Sequence, residues 1–183
     1  ERPEANEQFF RFLGDEARRA QALYVLGDLF EYWAGDDELT DGRGDPLAVE
    51  VATGFESLSK QGVQVWIMHG NRDFLVGKGF LAASGAQLLV DPTVANLNGK
   101  PVALMHGDTL CTDDHDYQAL RLTARSSAWQ REFLAKSLAE RRAAIGALRE
   151  KSRQVIAAKP AEIMDVNAEA VRAAFRRHGV RRL

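Results

Sequence analysis

Val63-Gln64-Val65-Trp66-Ile67-Met68 runs directly into His69-Gly70-Asn71-Arg72-Asp73, joining an apolar run to a compact polar motif. A run this short, rich in β-branched and aromatic residues, reads as a buried strand that ends in a loop. The same junction occurs upstream, where Ala22-Leu23-Tyr24-Val25-Leu26 ends in Gly27-Asp28. It occurs again downstream, where residues 101–105 (PVALM) feed His106-Gly107-Asp108. Three apolar strands thus each deliver a glycine-bearing polar motif at the carboxyl end, which is where open α/β sheets put their ligand sites.

The segments between these junctions read as helices and turns. Phe9, Phe12, Leu13, Ala17 and Ala20 recur at helical spacing, which predicts an amphipathic helix over roughly 4–20. A polar, Gly- and Asp-rich loop is expected over 36–46, a helix over 47–60 and a short helix over 78–84. Residues 87–90 and 93–97 are further strand candidates, and Asn98-Gly99 is a hairpin signal before the strand at 101–105. From about Asp116 to Lys159 the chain is rich in Ala, Leu, Arg, Glu and Lys, which predicts two or three helices. Leu134, Leu138, Ile145, Leu148 and Val155 fall near one stripe, and Trp129 and Phe133 form an i,i+4 pair. After Pro160, a return to α/β is expected over 163–175.

With 183 residues, 45% of them hydrophobic and 27% charged, the chain has the composition of a soluble globular domain. No apolar run approaches the roughly 18 residues of a membrane span, no signal-peptide pattern is visible, and the lone Cys111 fits a reducing compartment. A cytoplasmic location is the expectation. Charge is uneven: residues 1–120 hold nine Lys and Arg against twenty Asp and Glu, whereas 121–159 hold ten against three. An acidic body suits cations, and a basic segment suits phosphate or an anionic membrane surface.

Asp28, Asn71 and His106 form a mixed set of carboxylate, amide and imidazole donors, which suits a hard or borderline divalent ion such as manganese. Gly-Asp, then Gly-Asn-Arg-Asp, then His-Gly-Asp, in this order, resembles the middle of the calcineurin-like metallophosphoesterase pattern. The resemblance implies a four-layer αββα sandwich of two mixed sheets, with a helical cap inserted at about 116–159 and a dinuclear site at strand ends. It implies that Asp28 bridges two Mn²⁺ ions and that Asn71 and His106 ligate the second. Two such ions activate a water and neutralise charge on phosphoryl oxygens.

Most of that superfamily carries His where this chain has Arg72, which cannot act as an acid near neutral pH but can hold two phosphate oxygens as a fork. Gly70-Asn71-Arg72-Asp73-Phe74-Leu75, Leu26-Gly27-Asp28-Leu29-Phe30-Glu31 with Gly35-Asp36-Asp37, residues 105–114 (MHGDTLCTDD) and Ile163-Met164-Asp165-Val166-Asn167 are similar to the UDP-2,3-diacylglucosamine pyrophosphohydrolases. That family hydrolyses its substrate to a monophosphorylated diacyl sugar (lipid X) and UMP, in lipid A synthesis, by water attack on the α-phosphorus.

By position, Asn71, Arg72, Asp114, Ser152 and Lys159 match the family's substrate-contacting residues; Tyr117 and Arg149 are added near the sugar and phosphate. The catalytic set implied is Asp28, Asn71, Arg72 and His106. The cap is expected to receive the acyl chains on apolar faces (Leu120, Trp129, Phe133, Leu134, Leu138, Leu148), which otherwise only pack the helices together. Ile156 departs from the small polar residue often found there. The implied partners are UDP-2,3-diacylglucosamine and the cytoplasmic face of the inner membrane, with no nucleic acid and a monomeric state. His69, His115 and His178 are read as structural or surface residues, and Cys111 as packing.

The family pattern opens with Asp-x-His and closes with Gly-His-x-His, and neither occurs in this sequence. The expectation is one metallophosphoesterase domain over 1–183, excerpted from a longer protein, with four of the family's seven usual metal ligands beyond it. Were the sequence complete, the expectation becomes a non-catalytic scaffold of that fold. A phosphoesterase acting on nucleotides or nucleic acid is a third reading, against which Arg72 and Asp113-Asp114 speak.

Overall fold

The computed structural model of the chain describes residues 3–40 and 44–183. The middle of the expected 36–46 loop, residues 41–43, lies outside the described residues. Strands β1 (Ala22–Val25), β2 (Gln64–Met68) and β3 (Gln87–Leu89) form a parallel sheet in the order β1-β2-β3. Leu23 sits opposite Val65, and Ile67 opposite Leu88. The parallel pairing demands crossovers, supplied by α2 (Pro46–Lys60) and α3 (Lys78–Ser84). Helix α2 starts where Asp45 accepts the Leu47 N–H and Pro46 presets the first turn.

β4 (Thr93–Leu97) and β5 (Lys100–Leu104) make an antiparallel hairpin through Asn98-Gly99, both at positive φ, as the tight turn requires. The alternation in β2 divides the core. Val65 and Ile67 join Leu13 of α1 (Pro3–Gly14), Phe55 of α2 and Phe80 of α3. On the opposite face Trp66 and Met68 meet Leu89, Leu104 and Leu97 of the hairpin. Helices, parallel sheet and hairpin are therefore stacked as successive layers of an α/β fold.

The helix expected over 4–20 stops at Gly14, and Ala17–Arg19 is a separate 3-10 turn. The apolar period survives the break because buried Ala17 packs in the same core as Leu13. The cap region is three helices, α4 (His115–Ala124), α5 (Ser127–Leu134) and α6 (Leu138–Ala158), followed by α7 (Ala161–Met164) and α8 (Ala168–His178). Leu134 and Leu138 do not share one helix, since Ser137 and Glu140 close a reciprocal capping box that starts α6. Among the described residues no helix is long and apolar enough to cross a membrane.

Phe133 and Leu138 are buried, and Trp129 stacks on Phe133 at 4.7 Å and packs beside Phe74. Phe133 and Trp129 pack against the main core, which makes their first role structural, and Leu138 is buried beside them in sequence. Leu120, Leu134 and Leu148 remain exposed.

Candidate active site

Asp28 and Asn71 leave neighbouring parallel strands, so their loops are adjacent by construction. What lets them touch is the absence of two side chains. Gly27 has φ +96°, and a Cβ there would lie 2.5 Å from His106 Nδ1 and 2.6 Å from Gly70 Cα. A Cβ on Gly70 would run into the Asp28 backbone nitrogen and carboxylate. Asp28 itself adopts φ 53°, a left-handed conformation that Asp tolerates at modest cost.

Asp73 binds the two loops from beneath. Its buried carboxylate accepts N–H bonds from Gly70 (2.8 Å), Leu29 (2.7 Å) and Asp28 (3.3 Å). Burial nonetheless keeps its carboxyl above the usual range, against the pull of those donors.

His106 reaches the same point from the second sheet. Its Nδ1 lies 2.9 Å from the Leu26 carbonyl, and its Nε2 accepts the Asn71 N–H at 3.3 Å. A proton on Nδ1 satisfies both bonds, and Nε2 lies 3.8 Å from Asp28 Oδ1. The Asp28 carboxylate and the His106 imidazole are thus brought together with the Asn71 backbone, while the Asn71 side chain bonds the Tyr117 hydroxyl. Asp28, His106 and Asn71 offer the oxygen and nitrogen donors that fit part of a divalent metal site. Among the described residues, no group of three or more His, Cys, Asp and Glu side chains that could hold a metal ion is found.

Arg72 stands at the rim. Its backbone N–H donates to Asp28 Oδ1 at 3.0 Å, its Nε lies 3.5 Å from Asp28 Oδ2, and its Nη1 donates to Glu31 at 2.9 Å. The cap closes over it: Arg149 of α6 donates to the same Glu31 oxygen at 2.9 Å. Asp114 caps α4 by accepting the Tyr117 N–H, and Lys159, at the end of α6, donates to it at 2.5 Å. Burial works against ionisation of Asp114, but Lys159 outweighs it and holds the carboxyl below the usual range. Ser152 lies exposed on α6, and no side-chain hydrogen bond of it is found among the described residues; Ile156 is likewise exposed.

The Tyr117 hydroxyl donates to Asp108 at 2.7 Å, and burial and that carboxylate push its pKa well above the ordinary phenol value. Asn71 is a further side-chain partner of this hydroxyl. Asp108, Glu31, Arg121 and Arg125 have no role in the sequence reading. Arg121 donates to Asp108 at 2.7 Å and, with Tyr117, lowers its pKa although burial opposes this. Arg125 donates to the Gly70 carbonyl at 2.9 Å and lies over the Phe74 ring. The i,i+4 spacing of Arg121 and Arg125 marks a basic helix face, but nothing in it points to residue 70. His69 bonds the Val76 carbonyl at 2.7 Å, a structural role as expected.

No protein-family model matches the chain. It is 45% identical over 179 residues to the UDP-2,3-diacylglucosamine hydrolase of Aromatoleum aromaticum, covering 98% of this chain and 71% of that protein. Against the enzyme of the same name from Cellvibrio japonicus the identity is 44% over 170 residues, with 93% and 69% covered. For that of Salmonella arizonae it is 47% over 180 residues, with 98% and 73% covered. With identity at this level over nearly its whole length, the chain belongs to the UDP-2,3-diacylglucosamine hydrolase family of enzymes.

Proposed function

We propose that this chain carries the hydrolysis of the pyrophosphate bond of UDP-2,3-diacylglucosamine to 2,3-diacylglucosamine 1-phosphate and UMP, a step of lipid A synthesis. The observation that carries the reading is the convergence of Asp28, Asn71 and His106 beneath Arg72 and the cap, in a chain of this family. Asp28, Asn71 and His106 would hold their share of two manganese ions, which supply water activation and charge neutralisation at the phosphoryl group when bound.

The chain's own residues do the rest. The Leu26 carbonyl fixes the His106 tautomer with the proton on Nδ1, so that Nε2, which accepts the Asn71 N–H, is the ring's acceptor nitrogen toward the site. Arg72 and Arg149 present guanidinium forks to phosphate oxygens, and water attack falls on the α-phosphorus. Asp114 accepts from a sugar hydroxyl or amide, Lys159 and Ser152 bind beside it, and Tyr117 orients Asn71. The fold proposed for the whole domain is the four-layer αββα sandwich.

The basic 121–159 segment and the exposed Leu120, Leu122, Leu148 and Ile156 support peripheral attachment to the cytoplasmic face of the inner membrane, as a monomer. Asp28→Ala and His106→Ala should each abolish manganese-dependent UMP release from the lipid substrate, with a fall in manganese affinity by calorimetry. Unchanged turnover in either variant removes that residue from the metal site.

A further inference from the structure

Glu31 follows Asp28 by three residues and lies outside every role given above. Its side chain is 60% exposed, yet one of its oxygens, Oε2, accepts from Arg72 Nη1 and from Arg149 Nη2, each at 2.9 Å. The two arginines come from unrelated places, Arg72 from the loop after β2 and Arg149 from the middle of α6. The next residue, Tyr32, puts its ring 5.6 Å from the Arg149 guanidinium, so one turn supplies both a carboxylate and an aromatic face.

A stability role does not explain this. Exposed ion pairs contribute little to folding, and two guanidiniums brought together repel one another. The buried anchors of α6 lie about two turns earlier, where Arg141 and Arg142 pair with Asp37 and Glu38. What the Glu31 contact fixes is position. Without it, Arg149 is a long side chain on a solvated helix, and ordering it on binding costs conformational entropy. With it, two cations share one anion, and the trio keeps a net positive charge beside Asp28, whose Oδ2 lies 3.5 Å from Arg72 Nε.

We propose that Glu31 is a positioning residue that holds Arg72 and Arg149 side by side as one preorganised receptor for the phosphoryl charge of the substrate, and thereby holds α6 over the site. The inference rests on the hydrolase reading above for its substrate, but not for its geometry. It assigns Glu31 no contact with the reacting atoms.

Two measurements on the full chain test it. In manganese-dependent UMP release, Glu31→Gln should raise KM about fivefold or more while leaving kcat within about twofold and the melting temperature unchanged. Adding Glu31→Gln to Arg149→Ala should raise KM by less than the two single effects combined, because part of the same receptor is already lost. A KM that is unchanged or lower, or effects that add, would overturn the proposal; a lower KM would make Glu31 a competitor of the phosphate.

The second readout needs no turnover. Backbone hydrogen exchange should quicken in residues 149–158 of Glu31→Gln and stay unchanged in 138–146, which Arg141 and Arg142 anchor. Unchanged exchange throughout α6 would sink the clamp even if the enzyme is active. A wild-type full-length protein, with the segments that flank this sequence, that releases no UMP would instead sink the hydrolase reading, leaving the clamp to be judged by exchange alone.

Discussion

Gly27 and Gly70 matter through the side chains they lack. Gly70 needs no unusual φ, so its constraint is room alone: a methyl group there collides with Asp28. Gly70→Ala should therefore destabilise the fold by about 1–3 kcal/mol, as overpacking does. It should also weaken manganese binding at least about tenfold by shifting Asp28. Urea unfolding and calorimetric titration check the two effects, and an unchanged metal affinity would mean that Asp28 is not a ligand. Asp28, Asn71, Arg72 and His106 could be singled out in the sequence because each stands in a short polar motif just after an apolar strand. Asp73 stood in the same quoted motif, yet its work under both loops was not legible: its three N–H donors lie up to 45 residues away. Arg125, reaching Gly70 from just past the end of α4, was invisible for the same reason.

At the scale of elements, α6 is held along its length by contacts of different kinds. Near its start Arg142 pairs with Glu38, which is only 3% exposed, so Arg142→Leu removes the guanidinium fork from a buried carboxylate. Such a loss costs about 3 kcal/mol or more, measurable as a lowered urea midpoint. An unchanged midpoint would mean that water already reaches Glu38.

At its end Lys159 pairs with Asp114, and the sign of the pH effect follows from the lowered Asp114 pKa. Unfolded, Asp114 titrates near about 3.9; folded, it stays ionised to lower pH. Its stabilisation is therefore complete above the unfolded value and is lost as pH falls through the folded one. Lys159→Met should be less stable than wild type at pH 6, with the difference shrinking on acidification below pH ~4. A difference that is constant with pH would uncouple the pair from folding. The helices themselves were legible from period and caps. The break of α1 at Gly14 was not, because Ala17 returns to the core after it.

For the molecule as a whole, the cap is both a packed part of the core and an exposed surface. Trp129 and Phe133 serve the first role; Leu120 and Leu148 are left for the second. Leu120→Ser with Leu148→Ser should lower kcat/KM for the acylated substrate by about tenfold while sparing a small phosphodiester. Equal losses on both substrates would make these residues structural.

By itself, the sequence determined the α/β class, the strand ends that carry Asp28, Asn71 and His106, the helical nature of 116–159, and the family. All of these are encoded in local apolar period, turn chemistry and short motifs. Only the tertiary structure decided which apolar residues of the cap are core, which carboxylate underpins the two loops, and which acid draws Arg72 and Arg149 together. Those outcomes depend on contacts between residues some 40 to 120 positions apart, such as Glu31 with Arg149. A local pattern records the chemistry of a side chain, but not which distant partner will lie within a hydrogen bond of it.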